Sequence, residues 1–211
     1  MDITILKAGL LTMLIAYLLG SINFAVIVSR LISKDDVRKH GSGNAGATNM
    51  LRTYGKLPAM ITTAGDFSKG LLAVLVGRWL FSEIGNIPFD PGYLAGLFAL
   101  IGHLFPIYFG FRGGKGVLTS LGIIAVVNPI VFCMLFICFI PVLIKTKIVS
   151  LVSVLGGIFF PIFTFIVCIV LNKPALYDTL FATAFCLLVL IKHHSNIKRL
   201  LNGTEPRLGQ K

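Results

Sequence analysis

Three short stretches of this 211-residue chain hold residue types spaced for chemistry, and the first two favour an anion. The first is His40-Gly41-Ser42-Gly43-Asn44-Ala45-Gly46-Ala47-Thr48-Asn49, followed by Arg52. Glycines admit positive φ and close backbone approach, so successive N–H groups can converge on a negative group. Ser42, Asn44, Thr48 and Asn49 add side-chain donors, and Arg52 adds a guanidinium suited to charge-assisted bonds. A mere surface linker has no use for that density of donors. The second stretch is Gly102-His103-Leu104-Phe105-Pro106 and then Phe111-Arg112-Gly113-Gly114-Lys115-Gly116. Its glycines directly precede an apolar segment, where the unpaired N–H groups and dipole of a helix start attract anions. It is not a Walker loop, because position 109 is Phe and position 116 is Gly. The third is His193-His194-Ser195-Asn196-Ile197-Lys198-Arg199, with Gly203-Thr204-Glu205 after it.

Each stretch has a plainer reading. Arg112 and Lys115 serve either a phosphate or topology alone; His103 is read first as a structural hydrogen-bonding residue near a proline-bent helix end. His193 and Asn196, three apart, share a helical face directed at the loops, or belong to a solvated basic helix on the membrane surface. Ser150 and Ser153 either donate to a ligand or bond their own helix. Asp66 and Lys69, also three apart, lie inside an apolar run; a structural ion pair is favoured there over a substrate or proton path.

The elements that must position these residues are membrane helices. Hydrophobic side chains make up 56% of the chain and charged ones 13%, which excludes a soluble enzyme, a disordered tail and a coiled coil. Cys133, Cys138, Cys168 and Cys186 all sit in apolar runs without a C-x-x-C and read as small hydrophobes, not metal or redox groups. The start at Met1-Asp2 lacks a basic leader and a cleavage site, so the first apolar run is expected to be retained as a span.

Apolar runs cover about 5–28, 57–81, 91–110, 117–144, 148–171 and 175–191. Pro129 breaks the fourth into 115–127 and 129–144. The first half, 13 residues, reaches only about 20 Å against a hydrocarbon core of about 30 Å. Either the glycine loop before it is sunk below the surface, or 115–144 is a re-entrant hairpin. With seven segments and the N-terminus outside, fifteen Lys and Arg, from Arg30 to Lys211, face inward. Only Lys7, Arg78 and Lys173 face outward, beside Asp2, Glu83, Asp90 and Asp178. The expected architecture is therefore all-α integral membrane, N-out and C-in, with a short or broken fourth segment and glycine-rich loops on the cytoplasmic side. Positions 1–211 form a single membrane-embedded domain. Topology absorbs most of the net charge of +11, and no aromatic-interleaved basic face supports nucleic-acid binding.

Taken together, Gly41-Ser-Gly-Asn-Ala-Gly-Ala-Thr-Asn-x-x-Arg52, Gly102-His-x-Phe-Pro with Gly-Gly-Lys-Gly116, and His193-x-x-Asn-Ile197 resemble the three motif regions of the bacterial acyl-phosphate:glycerol-3-phosphate acyltransferases. The resemblance runs over essentially the whole chain. It implies a multi-pass enzyme of the bacterial cytoplasmic membrane, its active site facing the cytoplasm. That enzyme would transfer a fatty acyl group from acyl phosphate to the 1-hydroxyl of sn-glycerol 3-phosphate, the first step of phospholipid biosynthesis. It further implies that Ser42, Arg52, Lys115, His193 and Asn196 are catalytic. Gly41, Gly43, Asn44, Thr48, Asn49, Gly113, Gly114, Gly116 and Ser153 would bind substrate. The implied partners are glycerol 3-phosphate, acyl phosphate and membrane lipid, with no nucleic acid.

The residues add three expectations. No carboxylate cluster stands on the inner face, so neither Mg²⁺ nor any other metal or cofactor is expected. The H-x-x-x-x-D pair of thioester-using glycerolipid acyltransferases is absent: the fifth residue after His40 is Ala45, after His103 Tyr108, after His193 Lys198 and after His194 Arg199. A small transporter or channel for a phosphorylated solute is the alternative, but polar residues should then continue to the outer side, and the outer halves are largely apolar.

Overall fold

The computed structural model describes residues 3–85 and 87–209. The Met1-Asp2 start and the charges of Asp2 and Lys211 therefore lie outside the described residues. Within them are ten α-helices, 3₁₀ turns at Val37–Lys39 and Ile107–Phe109, and no strand. The chain forms two compact units, Met1–Val127 and Asn128–Lys211. The first contains α1 (Ile3–Ser21), α2 (Phe24–Ser33), α3 (Ala47–Tyr54), α4 (Lys56–Leu80), α5 (Pro91–Leu104) and α6 (Val117–Val127); the second contains α7 (Pro129–Thr146), α8 (Val149–Val170), α9 (Leu176–Lys192) and α10 (His194–Leu201).

In the first unit α1 packs on α5, and α4 packs on both α5 and α6. Small residues make the approach close, as the Ala16–Gly20 spacing suggests: Ala16 is fully buried, and a Cβ at Gly20 would stand 2.0 Å from Ala99 O of α5. Gly122 of α6 meets Phe67 O of α4 in the same way, at 2.0 Å. Below the first motif loop, Val26, Val37, Ala45, Met50 and Ala59 form a buried apolar base against which Tyr54 and Phe109 pack. In the second unit α8 packs on α7 and α9, with Phe160 edge-on to Phe185.

The first apolar run is not one uninterrupted helix over 5–28. It breaks after Ser21, where the buried Asn23 caps α2 by accepting from Val26 N at 3.1 Å, and α2 then runs on to Ser33. The interruption at Asn128-Pro129 is present: α6 ends at Val127, and Asn128 caps α7 by accepting from Val131 N at 3.2 Å. By length and apolar composition, Ile3–Ser33, Lys56–Leu80, Pro91–Phe109, Pro129–Thr146 and Val149–Val170 are long enough to cross a membrane, and α9 with α10, bent by 67°, makes a sixth candidate. A total of seven requires α6, 11 residues long and about 16 Å by helical rise. Ile137, Trp79 and Ile144 are each more than 70% exposed, an apolar surface suited to hydrocarbon.

Candidate active site

In the first unit the first motif is organised by one amide. Asn49, 1% exposed, accepts from Ser42 N at 2.9 Å through Oδ1, and its Nδ2 is shared among the carbonyls of Val37, His40 and Asn44 at 3.0–3.1 Å. Such a tight return needs positive φ at Gly41 (+56°) and Gly43 (+69°). A Cβ at Gly41 would also stand 2.3 Å from Asn49 Oδ1. The second half of the motif is helical, so Thr48 and Arg52, four apart on α3, lie on one face. Ser42, Thr48 and Arg52 are exposed and make no side-chain hydrogen bond or ion pair among the described residues. Asn49 therefore shapes the loop, while these three point donors outward.

A charged clamp joins this motif to the second. Asp36 is buried and holds Arg38 through two bonds, Nε to Oδ1 at 2.9 Å and an Nη to Oδ2 at 2.7 Å, while Arg30 reaches Asp36 at 3.2 Å. So held, Arg38 donates to Phe109 O and Arg112 O, both at 2.8 Å, and fixes the loop leading into Gly113. Arg38 keeps the Asp36 carboxyl far below the usual carboxylate range. Neighbouring Asp35, bonded chiefly to His40, is lowered to about 2. Sequence reasoning credited Arg38 with topology alone. Besides Asp36, its partners are backbone carbonyls some 70 residues away, which no local pattern reveals.

The glycines of the second motif are required by contact. A Cβ at Gly113 would stand 1.9 Å from His103 O, and one at Gly114 would stand 2.4 Å from both Ala45 O and His103 Nε2. Gly116 has φ +80° and abuts Leu100 at 2.2 Å by the same measure, and α6 starts one residue later. The two loops thus meet at Ala45 and Gly114, with Lys115 half-buried beside them and Arg112 exposed. His103 is buried, and its Nδ1 lies 2.9 Å from Lys69 Nζ; Lys69 in turn pairs with Asp66 at 2.9 Å. The favoured readings of all three as structural partners agree with this geometry.

The second unit gathers the third motif around a residue that sequence reasoning noted only in passing. Glu205 accepts from Ser150 Oγ and Asn196 Nδ2 at 2.6 Å, both on Oε1, and from Arg199 Nε at 2.7 Å on Oε2. Burial opposes its ionisation, but those three bonds outweigh it and hold the carboxyl below its ordinary value. Ser150 therefore neither bonds its own helix nor stands open to a ligand; it fastens Glu205 to α8. Ser153 does bond its own helix, at 2.9 Å to Val149 O. His193 and Asn196 are both buried, but His193 sits at the α9–α10 junction, one residue before α10 begins. Its Nδ1 lies 2.8 Å from Val189 O, so Nδ1 carries the proton and Nε2 the lone pair in the neutral ring. A carboxylate beside Asn196 and Arg199 was the available signal.

These are the features of a multi-pass membrane protein with two glycine-rich loops at the ends of its helices. A family model described as "Glycerol-3-phosphate acyltransferase" matches residues 10–203. The glycerol-3-phosphate acyltransferase of Clostridioides difficile (strain 630) is 47% identical over 197 residues, 93% of this chain and 94% of that protein. The enzyme of the same description from Bacillus subtilis (strain 168) is 39% identical, covering 94% and 96%. Crystal structures of PlsY (YgiH), an integral membrane glycerol 3-phosphate acyltransferase, resemble the fold. The glycerol 3-phosphate form has a TM-score of 0.82 at 35% identity, covering 95% and 96% of the two chains, and the lysophosphatidic acid form has 0.79 at 34%. This chain belongs to the glycerol-3-phosphate acyltransferase family.

Proposed function

We propose that this protein transfers a fatty acyl group from acyl phosphate to the 1-hydroxyl of sn-glycerol 3-phosphate. The products are 1-acyl-sn-glycerol 3-phosphate (lysophosphatidate) and inorganic phosphate, and the reaction begins phospholipid biosynthesis. The observation that carries the reading is the meeting of two glycine loops at Ala45 and Gly114, each presenting anion donors, in a chain of this family. Both substrates bear phosphate, and Ser42, Thr48, Arg52, Lys115 and the N–H groups of Gly113 and Gly116 are suited to hold it, while Gly114, whose N–H donates to His103 O, keeps the backbone close. Gly41, Gly43 and Asn49 fix the loop that aims them, and Asn44 and Ser153 supply further polar contact.

An acyl phosphate is already activated. The glycerol oxygen bonds to the acyl carbon, the bond from that carbon to the phosphate oxygen breaks, and phosphate leaves with the electron pair. The hydroxyl proton goes to an oxygen of the departing phosphate, or first to neutral His193 at Nε2. The protein thus contributes proximity, orientation and charge stabilisation. In this reading His193 and Asn196 orient the glycerol, and Glu205 fixes the amide of Asn196.

All of 1–211 acts as one acyltransferase domain in the bacterial cytoplasmic membrane, with seven segments, N-out and C-in, and the loops facing the cytoplasm. The fifteen-to-three charge asymmetry supports that orientation. Single cysteines at 34 and 204 should then react only with reagent that reaches the cytoplasm, and one at 84 from outside; labelling of 34 and 84 from one side refutes it. Reconstituted vesicles test the activity itself. Lysophosphatidate made from glycerol 3-phosphate and palmitoyl phosphate supports the enzyme, whereas net glycerol 3-phosphate uptake without acylated product supports a transporter.

A further inference from the structure

Three ionisable side chains in the first unit face one another out of contact with solvent, and the reaction as written uses none of them. Asp66 and Lys69 of α4 and His103 of α5 are 1%, 3% and 3% exposed. Lys69 Nζ lies 2.9 Å from Asp66 Oδ1 and 2.9 Å from His103 Nδ1, and it donates to Ile22 O at 2.6 Å. Lys69 Nζ thus has two hydrogen-bonding partners, Ile22 O and His103 Nδ1, and an ion-pair contact with Asp66 Oδ1, which accepts no hydrogen bond among the described residues. Ile22 stands at the break between α1 and α2, where the helix ladder is interrupted. One lysine therefore ties together that break, the middle of α4 and the end of α5.

The consequence appears on the far side of the histidine ring. Asp66 Oδ1 also faces Nδ1, at 3.7 Å, and with Lys69 as an ammonium, which can only donate to Nδ1, a neutral His103 ring carries its proton on Nε2. That nitrogen stands against Gly114, where an added Cβ would lie 2.4 Å away and equally 2.4 Å from Ala45 O. The backbone of the same residue repeats the grip: His103 O accepts from Gly114 N at 3.3 Å, and a Cβ at Gly113 would be 1.9 Å from it. A buried ion pair gives little net stability compared with well-packed apolar residues of the same volume. Here its geometry does something apolar residues cannot, which is to fix the rotation and tautomer of the ring that seats Gly114.

We propose that Asp66, Lys69 and His103 are positioning residues for the Gly113–Gly116 loop: Lys69 orients the His103 ring, and the ring holds Gly114 against Ala45. The inference deepens the functional reading above, since it rests on that loop holding substrate phosphate. None of the three touches substrate, so their effect reaches the reaction only through the loop.

The test is steady-state kinetics with palmitoyl phosphate and glycerol 3-phosphate on detergent-purified protein, with Tm and size-exclusion profile measured for every variant. His103→Asn keeps an acceptor for Lys69 but removes the ring beside Gly114; His103→Phe keeps the ring but cuts it from Lys69. Lys69→Met is paired with the double change Asp66→Asn/Lys69→Met, which leaves no lone buried charge and keeps the test open if the single variant fails to fold. In each folded variant KM for glycerol 3-phosphate should rise about tenfold or more, with kcat changed less than about threefold. The effects of His103→Asn and Gly114→Ala should fall well short of multiplying, because both act at one contact. A lower Tm with unchanged KM, or fully multiplicative effects, overturns the proposal while leaving the functional reading intact. Wild-type protein that makes no lysophosphatidate overturns both.

Discussion

The two units solve the problem of polar groups in an apolar chain in opposite ways. In the glycine loops of the first, main chain does most of the work. Gly41 and Gly43 turn the backbone around Asn49, Gly113 and Gly114 lie flush against His103 and Ala45, and the side chains of Ser42, Thr48 and Arg52 are left exposed without hydrogen-bond or ion-pair partners among the described residues. In the second, side chains satisfy one another: Ser150, Asn196 and Arg199 converge on Glu205. The resemblance gives Arg52 and Asn196 equal standing, but their surroundings differ. Under the proposed function, removing Arg52 deprives only a ligand, whereas removing a member of the Glu205 cluster deprives the fold first.

That contrast is broken or sharpened by substitutions whose effects should descend in a definite order. Gly113→Ala comes first, because its Cβ would lie 1.9 Å from a backbone oxygen that cannot step aside. Displacing the loop should lower kcat/KM about a hundredfold, by the general cost of misplacing a reacting group by about 1 Å, and should lower Tm as well, because backbone must shift to relieve the contact. Arg52→Ala comes next. Loss of a charge-assisted phosphate bond is worth about 1.5–3 kcal/mol, so kcat/KM should fall at least about tenfold with Tm unmoved. Near-normal activity would reduce Arg52 to a topology signal.

Glu205→Ala should reverse that pattern. Three donors lose their acceptor, and stability should fall by about 1.5–3 kcal/mol, read as a lower Tm. An unchanged Tm would refute the self-satisfied cluster. The pH dependence has a definite sign. The Glu205 carboxyl is lowered from 4.5 on folding, so its stabilisation is complete above that value and is lost as pH falls through the folded value. Tm measured from pH 7 down to about 3 should therefore decline more steeply in the wild type than in Glu205→Gln, with the difference opening below about 4.5. Ser153→Ala should be the mildest change, lowering kcat/KM less than about tenfold, because the hydroxyl already donates to Val149 O and offers a ligand only its lone pairs.

Features encoded by local pattern were legible in the sequence: the apolar runs, the stop at Asn128-Pro129, the Ala16–Gly20 packing face and the Asp66–Lys69 pair. Features that depend on distant backbone were not. The Arg38 clamp ends on carbonyls of Phe109 and Arg112, and Lys69 ends on that of Ile22; carbonyls carry no residue identity, so no spacing rule finds them. The break at Asn23 escaped for a related reason. An Asn inside an apolar run reads as a tolerated polar residue until its cap to Val26 is seen. In the candidate site, the residues of both glycine loops were legible as a set, but the division between Asn49, which shapes the loop, and Arg52, which faces outward, was not.

The choice of acyl donor tests the central claim most directly. A thioester has a poorer leaving group and brings no phosphate beside the reacting carbonyl to take the proton, and the chain lacks the H-x-x-x-x-D base that would replace it. With purified protein, glycerol 3-phosphate and EDTA present, palmitoyl phosphate should give lysophosphatidate and inorganic phosphate in equal amounts. Palmitoyl-CoA and palmitoyl-acyl carrier protein at equal concentration should give little or none. Comparable rates from either thioester would contradict both the donor assignment and the role given to the donor's own phosphate.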